Sequence, residues 1–440
     1  MMNFIKIPAL MLALVLCGNA YTQHKWSLEG CIRHARENNL QVKQQQIAIE
    51  QAENNLFSSK MEYLPSVNAS MNHNMSWGRS VNLNDLEIIE NKLSQSTSMN
   101  ISASVPLFEG MQKRNTVKRN LKQLEIAGVN VEKLQDEISL TVAQAYLQVL
   151  LNKEIEKSAQ ASLASVQEQE ARSRQLVEAG SQAYSSLLEI QAQLASEKVQ
   201  AVTAGNNVRS SLLALAQLLD IEDFGKFDIE TPQTDYLTLS FNPESVEEIY
   251  GNATGLPRIK GAELALEQSK LQYKIQKGAA LPSISFNAGY GTYYSDNQSS
   301  AFFEQFNNNR NPSMGFGLSI PIFNNWRSNT SIRNARLNVK NSEIELKLQH
   351  QNLLKDIQQA YNDALASFER LGAAKQNMEA AKESFKYTQE KFNVGMLGGT
   401  DYTVAKTNLF KAESEYLQSK FQYIFQLKVL DYYKNTPITL

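Results

Sequence analysis

The chain has 440 residues, 43 of them lysine or arginine and 45 aspartate or glutamate, for a formal net charge of −2. No basic run is available to neutralise a phosphate backbone, so nucleic acid is not an expected partner. Beyond the first residues, no stretch approaches the ~20 consecutive apolar residues of a membrane-spanning helix, so any crossing of a bilayer must use strands.

In chain order, Lys6 precedes an apolar run from Ala9 to Val15 and a small-x-small end, Gly18-Asn19-Ala20. Residues 1–20 therefore read as a cleaved secretory signal. Leu16 before Cys17 does not suit a lipidated cysteine, and loss of Cys17 leaves Cys31 without a disulfide partner. A shorter helix follows, and then strict alternation begins at Ser66. Val67, Ala69, Met71, His73, Met75 and Trp77 fall on one face, and Ser66, Asn68, Ser70, Asn72, Asn74 and Ser76 on the other. The expected partner strand sets Met99, Ile101, Ala103 and Val105 against Ser98, Asn100, Ser102 and Ser104.

From Lys113 to Ala179 the only glycine is Gly128 and there is no proline. Val131, Leu134, Ile138, Val142, Ala145 and Val149 keep the helical period, so one helix is expected. About 65 residues at 1.5 Å each would extend ~98 Å. The helix ends at Val177-Glu178-Ala179-Gly180, another helix follows to Asp220, and an acidic irregular segment occupies residues 221–242.

The remainder repeats this plan. Pro106 and Pro321, Ala145-Tyr146 and Ala360-Tyr361, and Gly180 and Gly395 are all 215 positions apart (321−106, 360−145, 395−180). A single offset over such a span reads as two copies of one unit, 21–220 and 243–433, with a tail at 434–440. The second copy sets Ile284, Phe286, Ala288 and Tyr290 against Ser283, Ser285, Asn287 and Gly289. Its next strand sets Met314, Phe316, Leu318 and Ile320 against Ser313, Gly315, Gly317 and Ser319. Its long helix is expected over Arg327–Val394, with Leu354, Ile357, Tyr361, Leu365 and Phe368 as the apolar stripe. Pro65, Pro106, Pro282 and Pro321 fall where helices should meet strands and mark a collar between the two kinds of structure.

The polar strand faces carry small uncharged side chains, as a water-filled lumen would, while the opposite faces are rich in Met and aromatics. Trp77, Tyr290, Tyr293, Tyr294 and Trp326 lie near expected strand ends, the depth of interfacial aromatic girdles. Four strands cannot close a barrel, and open edges in lipid leave backbone groups unsatisfied, so several chains must contribute. The histidines His24, His34, His73 and His350 sit on different expected elements, and neither a phosphate-binding loop nor a nucleophile elbow is present. Neither enzymatic activity nor a cofactor or metal is expected. The helices alone would also fit an exported coiled-coil scaffold without a pore, a reading that leaves the four amphipathic strands unused.

A signal, two helix–hairpin–helix repeats, Leu-Pro-Ser before one strand and Pro-hydrophobic-Phe after the next resemble the TolC-like outer-membrane efflux family over nearly the whole mature chain. The most specific local match is Phe392-Asn393-Val394-Gly395 followed by Thr400-Asp401, paired with Gly180 followed by Ser185-Ser186. The resemblance implies a mixed α and β membrane protein: a trimeric twelve-strand transmembrane β-barrel, four strands per chain, continued by a long α-helical periplasmic barrel. It assigns residues 221–242 and the tail to an equatorial belt. The implied function is passive exit of small molecules from a tripartite efflux pump, with a periplasmic adaptor and an inner-membrane transporter as partners. The alternative is the exit duct of a type I protein secretion system. Gly180 and Gly395 would form the periplasmic tips that dock the adaptor. Asp401 matches a gate aspartate, whose three copies would make a ring of carboxylates favouring cations. The alternative role for Asp401 is an N-cap. Val404 and Ser186 stand where the family has further aspartates, and Phe392 where it has a tyrosine latch. Apolar packing of Phe392, Val394 and Leu397 is the alternative means of closure.

Overall fold

The computed structural model describes residues 25–81, 86–234 and 240–440. The expected signal, with Cys17, and the part of the linker at 235–239 lie outside the described residues. Two compact units divide the chain, one of residues 44–133 and 254–353, the other of 1–43, 134–253 and 354–440. Two helices run through both: α3 (Gln112–Glu178) and α8 (Arg327–Asn393), each of 67 residues.

The first unit holds the strands β1 (Ser66–Val81), β2 (Ile88–Glu109), β3 (Ser283–Ser295) and β4 (Asn311–Ser319). They form one antiparallel sheet in the order β1-β2-β3-β4, so β1 and β4 are its open edges. Helices α2 (Leu40–Met61) and α6 (Pro257–Gly278) lead into β1 and β3. Register decides what each face carries. Val67 pairs with Ala103, Met71 with Met99, Ile101 with Tyr290, Val105 with Phe286, and Phe286 with Phe316. The other parity pairs Asn68 with Ser102, Ser104 with Asn287, and Asn287 with Gly315. The paired apolar positions read from the sequence therefore share one face across four strands, and the small polar positions share the other; Ile320 lies just past the end of β4.

The second unit is helical, with α1 (Leu28–Asn38), α4 (Tyr184–Leu218), α5 (Val246–Ala253) and α9 (Gly399–Tyr433) beside the remaining lengths of α3 and α8. Its core is drawn from the 3.6-residue stripe of α3, where Val142, Tyr146 and Val149 are fully buried with Leu28, Leu215, Ile357 and Ile424. Cys31 is buried among them as a plain helix residue; burial, with Glu29 nearby, pushes its thiol up to about 12. Tyr146 draws segments together: its hydroxyl lies 3.1 Å from the Trp26 carbonyl and 2.9 Å from that of Glu230. Trp26 pairs in parallel with Ile229, so the linker is hydrogen-bonded there.

Three expectations need correction. The helix before each hairpin is two helices: Asn39 ends α1, and its Oδ1 accepts from the Gln41 amide at 2.9 Å, capping α2. In the second copy α5 stops at Ala253, and Pro257 opens α6 at a position where the missing N–H costs nothing. A helix unseen in the sequence, α7 (Phe302–Asn308), lies between β3 and β4. On α8 the buried stripe is Leu353, Ile357, Ala360, Ala364 and Leu371, while Leu354 and Leu365 are exposed. The stripe is rotated by about one position because only one side of the helix is packed within a single chain.

Candidate functional site

The polar sheet face is the first candidate. Ser104 Oγ donates to Asn287 Oδ1 at 2.8 Å, and Asn287 Nδ2 to Ser285 Oγ at 3.2 Å. Glycine recurs on this face because neighbours need its space: a Cβ on Gly317 or Gly289 would stand 3.0 Å from Ser285 Oγ or Ser313 Oγ. Opposite, large apolar side chains lie open, with Met71 66%, Phe316 76% and Met314 83% exposed. Such a patch is far larger than scattered surface apolar residues and marks a surface meant to be covered.

Pro65 and Pro282 each directly precede their strands, and Pro321 follows β4. Pro106 differs from expectation: it lies inside β2, at the register shift between Pro106 and Phe108. A bulge leaves an unpaired position where a residue without an N–H is tolerated, so the strand continues to Glu109. The junction has a feature that no local motif announces. Gly110, with φ +58°, lies against Gly278, and a Cβ on either would enter the other's backbone. Those residues are 168 positions apart (278−110), too far for a local pattern to relate them.

The helix breaks are built alike. After α3, Gly180 takes φ +69°, its amide donates to the Val177 carbonyl at 3.0 Å and the Ser181 amide to Leu176 at 2.8 Å. After α8, Gly395 takes φ +76°, with bonds to Phe392 at 3.0 Å and from Met396 to Lys391 at 2.9 Å. These paired back-bonds satisfy the last carbonyls and require a left-handed residue. Asp401 is exposed in the first turn of α9, whose N-cap is Gly398. Asp401 is therefore not the N-cap; its carboxylate is placed to favour the positive end of the helix dipole. Ser186 is half-buried in the first turn of α4, its amide bonded to Ala183 at 3.1 Å. The Glu189 carboxylate occupies the space a Cβ on Gly399 would need, which ties the two breaks together through a residue the sequence did not single out.

The three apolar candidates separate. Phe392 is buried in a cluster with Val166, Ile190, Phe385, Tyr402 and Leu409, its ring 4.9 Å from that of Tyr402. Val394 is 68% exposed, and Leu397 is half-buried. Within the chain Phe392 thus packs beneath the helix break, and Val394 faces outward. Behind it lies a buried polar group: Glu197 accepts from Gln193 at 2.7 Å, and Lys406 sits 4.9 Å above the Phe385 ring. Burial lowers the Lys406 pKa, against the pull of Glu197 and Glu413. Burial raises that of the Tyr402 phenol, partly offset by Ser165. Among the described residues no helix is long and apolar enough to cross a membrane, and no group of three or more His, Cys, Asp or Glu side chains could hold a metal.

The family model for outer membrane efflux proteins matches residues 31–220 and 255–431. The outer membrane efflux protein BepC of Brucella suis biovar 1 (strain 1330) is 22% identical over 343 residues, covering 76% of this chain and 68% of its own. Among solved structures, CusC aligns with a TM-score of 0.77 at 18% identity, over 93% of this chain and 92% of that one. The CmeC outer membrane channel of Campylobacter jejuni aligns with a TM-score of 0.73 at 18% identity, over 92% and 84%.

Proposed function

The chain belongs to the outer membrane efflux protein family and resides in the outer membrane with its long helices in the periplasm, and from this premise we propose that it is the passive exit duct of a tripartite efflux pump. Three copies would close a twelve-strand barrel. The observation that carries this reading is the sheet itself: four strands, two open edges, one face small and uncharged between Lys92 at one end and Glu109 at the other, the opposite face apolar and exposed. In lipid an open edge leaves each unpaired backbone group at a cost of several kcal/mol, so β4 of one copy would pair with β1 of the next. The apolar face then meets lipid and the small polar face lines water.

The helices support the same assembly. Leu354 and Leu365 on α8 and Val404 on α9 are exposed in one chain and are available to bury against a neighbour. The bounds of α3 and α8, and those of α4 and α9, are offset by 215 positions (327−112, 393−178, 399−184, 433−218), which supports reading the chain as two tandem copies. Six helix breaks per trimer, centred on Gly180 and Gly395, would dock a periplasmic adaptor that links the duct to an inner-membrane transporter. Asp401, exposed beside the break, would form the gate ring with its copies. Small-molecule efflux is favoured over protein secretion because the matching family and the relative BepC are both described as outer membrane efflux proteins. Detergent-purified protein should run as a trimer in light scattering and raise the conductance of planar bilayers. A stable folded monomer without conductance would refute the barrel.

A further inference from the structure

The loop between β3 and β4 folds the seven-residue helix α7, for which the barrel reading has no use. Strand parity fixes the face it covers. Thr292 pairs with Met99 and Tyr294 with Thr97, in the register that sets Tyr290 against Ile101 and Phe286 against Val105. Thr292 and Tyr294 thus stand on the apolar face. Thr292 Oγ1 donates to the Phe306 carbonyl at 2.6 Å, and the Phe302 ring lies 4.8 Å from that of Tyr294. The helix therefore folds over the apolar face, at the end of the sheet remote from the prolines, and not across the face of small polar side chains.

It is firmly held. Gln305, only 2% exposed, accepts from the Ser295 amide at 2.9 Å and donates to the carbonyls of Ser295 and Ser300 at 3.0 and 2.7 Å. Phe302 stacks on Phe306 at 4.6 Å, which leaves Phe303 at the next position 83% exposed. A rigid loop that spends its polar groups on itself and points a bare phenyl ring outward is built to meet something apolar. The sheet face beneath it is the one that carries exposed Ile101, Tyr290, Met314 and Phe316, so Phe303 stands exposed on a helix that packs on that apolar face.

We propose that α7 is an interfacial anchor whose Phe303 inserts into lipid at the outer rim of the sheet. The proposal rests on the reading of the apolar face as lipid-facing, and lipid is the occupant because α7 extends that same face. Aromatic side chains on short amphipathic segments are suited to the boundary between headgroups and hydrocarbon. The consequence is that this loop steadies the duct from outside and leaves its mouth open.

The test is a nitroxide label at Phe303→Cys, in a Cys17→Ser background, on protein reconstituted in phospholipid vesicles. Cys31 is fully buried and will not label. Collision with oxygen reports lipid, and collision with a water-soluble nickel chelate reports water. Labels at Phe316→Cys and Asn287→Cys serve as references for the two sheet faces. Labels at 303 and 316 should both favour oxygen and be shielded from nickel, and the label at 287 should do the reverse. A label at 303 that reads as water, or that is shielded from both probes, while 316 reads as lipid, overturns the anchor and spares the barrel. If 316 also reads as water, the barrel reading itself fails. Should the labelled variant not assemble, Phe303→Trp in a background with Trp26, Trp77 and Trp326 replaced by Phe gives the same answer: its fluorescence should be lost to brominated phospholipid and kept in acrylamide, and the opposite result overturns the anchor.

Discussion

Substitution at Gly395 isolates one physical cost, because a Cβ there would meet nothing within 4 Å. The penalty is therefore conformational: φ is +76°, and an ordinary L-residue in the left-handed region costs roughly 1–2 kcal/mol. The chain itself shows which residues escape that penalty. After α4 and α9 the same paired back-bonds form around Asp220 (φ +54°) and Asn435 (φ +59°), with Ile221 bonded to Ala216 and Thr436 to Asp431, each at 3.0 Å. Gly395→Asn should thus cost under ~0.5 kcal/mol, Gly395→Ala about 1, and Gly395→Val about 2, since a branched Cβ resists positive φ most. At about 1.4 kcal/mol per tenfold, amide exchange at Gly395 and Met396 should quicken roughly 5-fold in the Ala variant and roughly 30-fold in the Val variant. The Asn variant should stay within about 2-fold of the parent. Hydrogen-exchange mass spectrometry on a peptide covering 391–400 makes the comparison. Equal exchange in all three variants would show that the left-handed glycine does not hold this helix end. Asn as damaging as Val would mean that side-chain bulk, not φ, is what the site rejects.

Glu197 and Lys406 are both buried, and the Glu197 carboxylate acts against the burial that lowers the Lys406 pKa, so Glu197→Gln or Lys406→Met alone should cost about 3 kcal/mol. The double variant should cost less than the sum by about 1 kcal/mol or more in guanidinium unfolding, and strict additivity would uncouple them. Asp228 is pushed up by burial, but hydrogen bonds from Lys153 and the Ile229 amide, with Lys25 3.5 Å away, outweigh this and hold its pKa below 3.8. A depressed folded-state pKa stabilises fully above 3.8 and is lost as pH falls toward the lowered value. Asp228→Asn should accordingly lower stability at pH 7 and flatten its fall below pH 3.8; a parallel acid limb in both proteins would refute the assignment. Asp401→Asn should leave the trimer intact while weakening cation selectivity and block by trivalent cations in bilayer recordings, and unchanged block would move the gate to Val394 and Leu397.

What was legible in the sequence was periodic. The helix expected over 113–179 is 112–178, and the alternation of apolar and small polar positions holds through the paired strands, because alternation and the absence of breakers are local signals. Gly180 and Gly395 were legible for the same reason, since a helix ending in the left-handed region selects glycine within one turn. The misses are long-range or depend on what packs nearby. The meeting of Gly110 with Gly278, Glu189 with Gly399 and Tyr146 with the linker joins positions far apart in sequence, and nothing in their neighbours announces it. That Phe392, which stands where the resemblance has a tyrosine latch, packs onto Tyr402 while Val394 stays exposed is likewise set by distant neighbours. The helix α7 carries no periodic signal because it is only seven residues long and its apolar residues fit a loop equally well.

The central claim is that the sheet is one third of a barrel whose small polar face lines water. Single-channel recording with cysteine substitutions tests it most directly, using a charged, water-soluble methanethiosulfonate reagent on Asn287→Cys and Phe316→Cys in planar bilayers. The account predicts that Asn287→Cys channels lose conductance in three discrete steps, one for each subunit, and that Phe316→Cys channels do not change. Block through Phe316→Cys with none through Asn287→Cys, or a number of steps other than three, would contradict it.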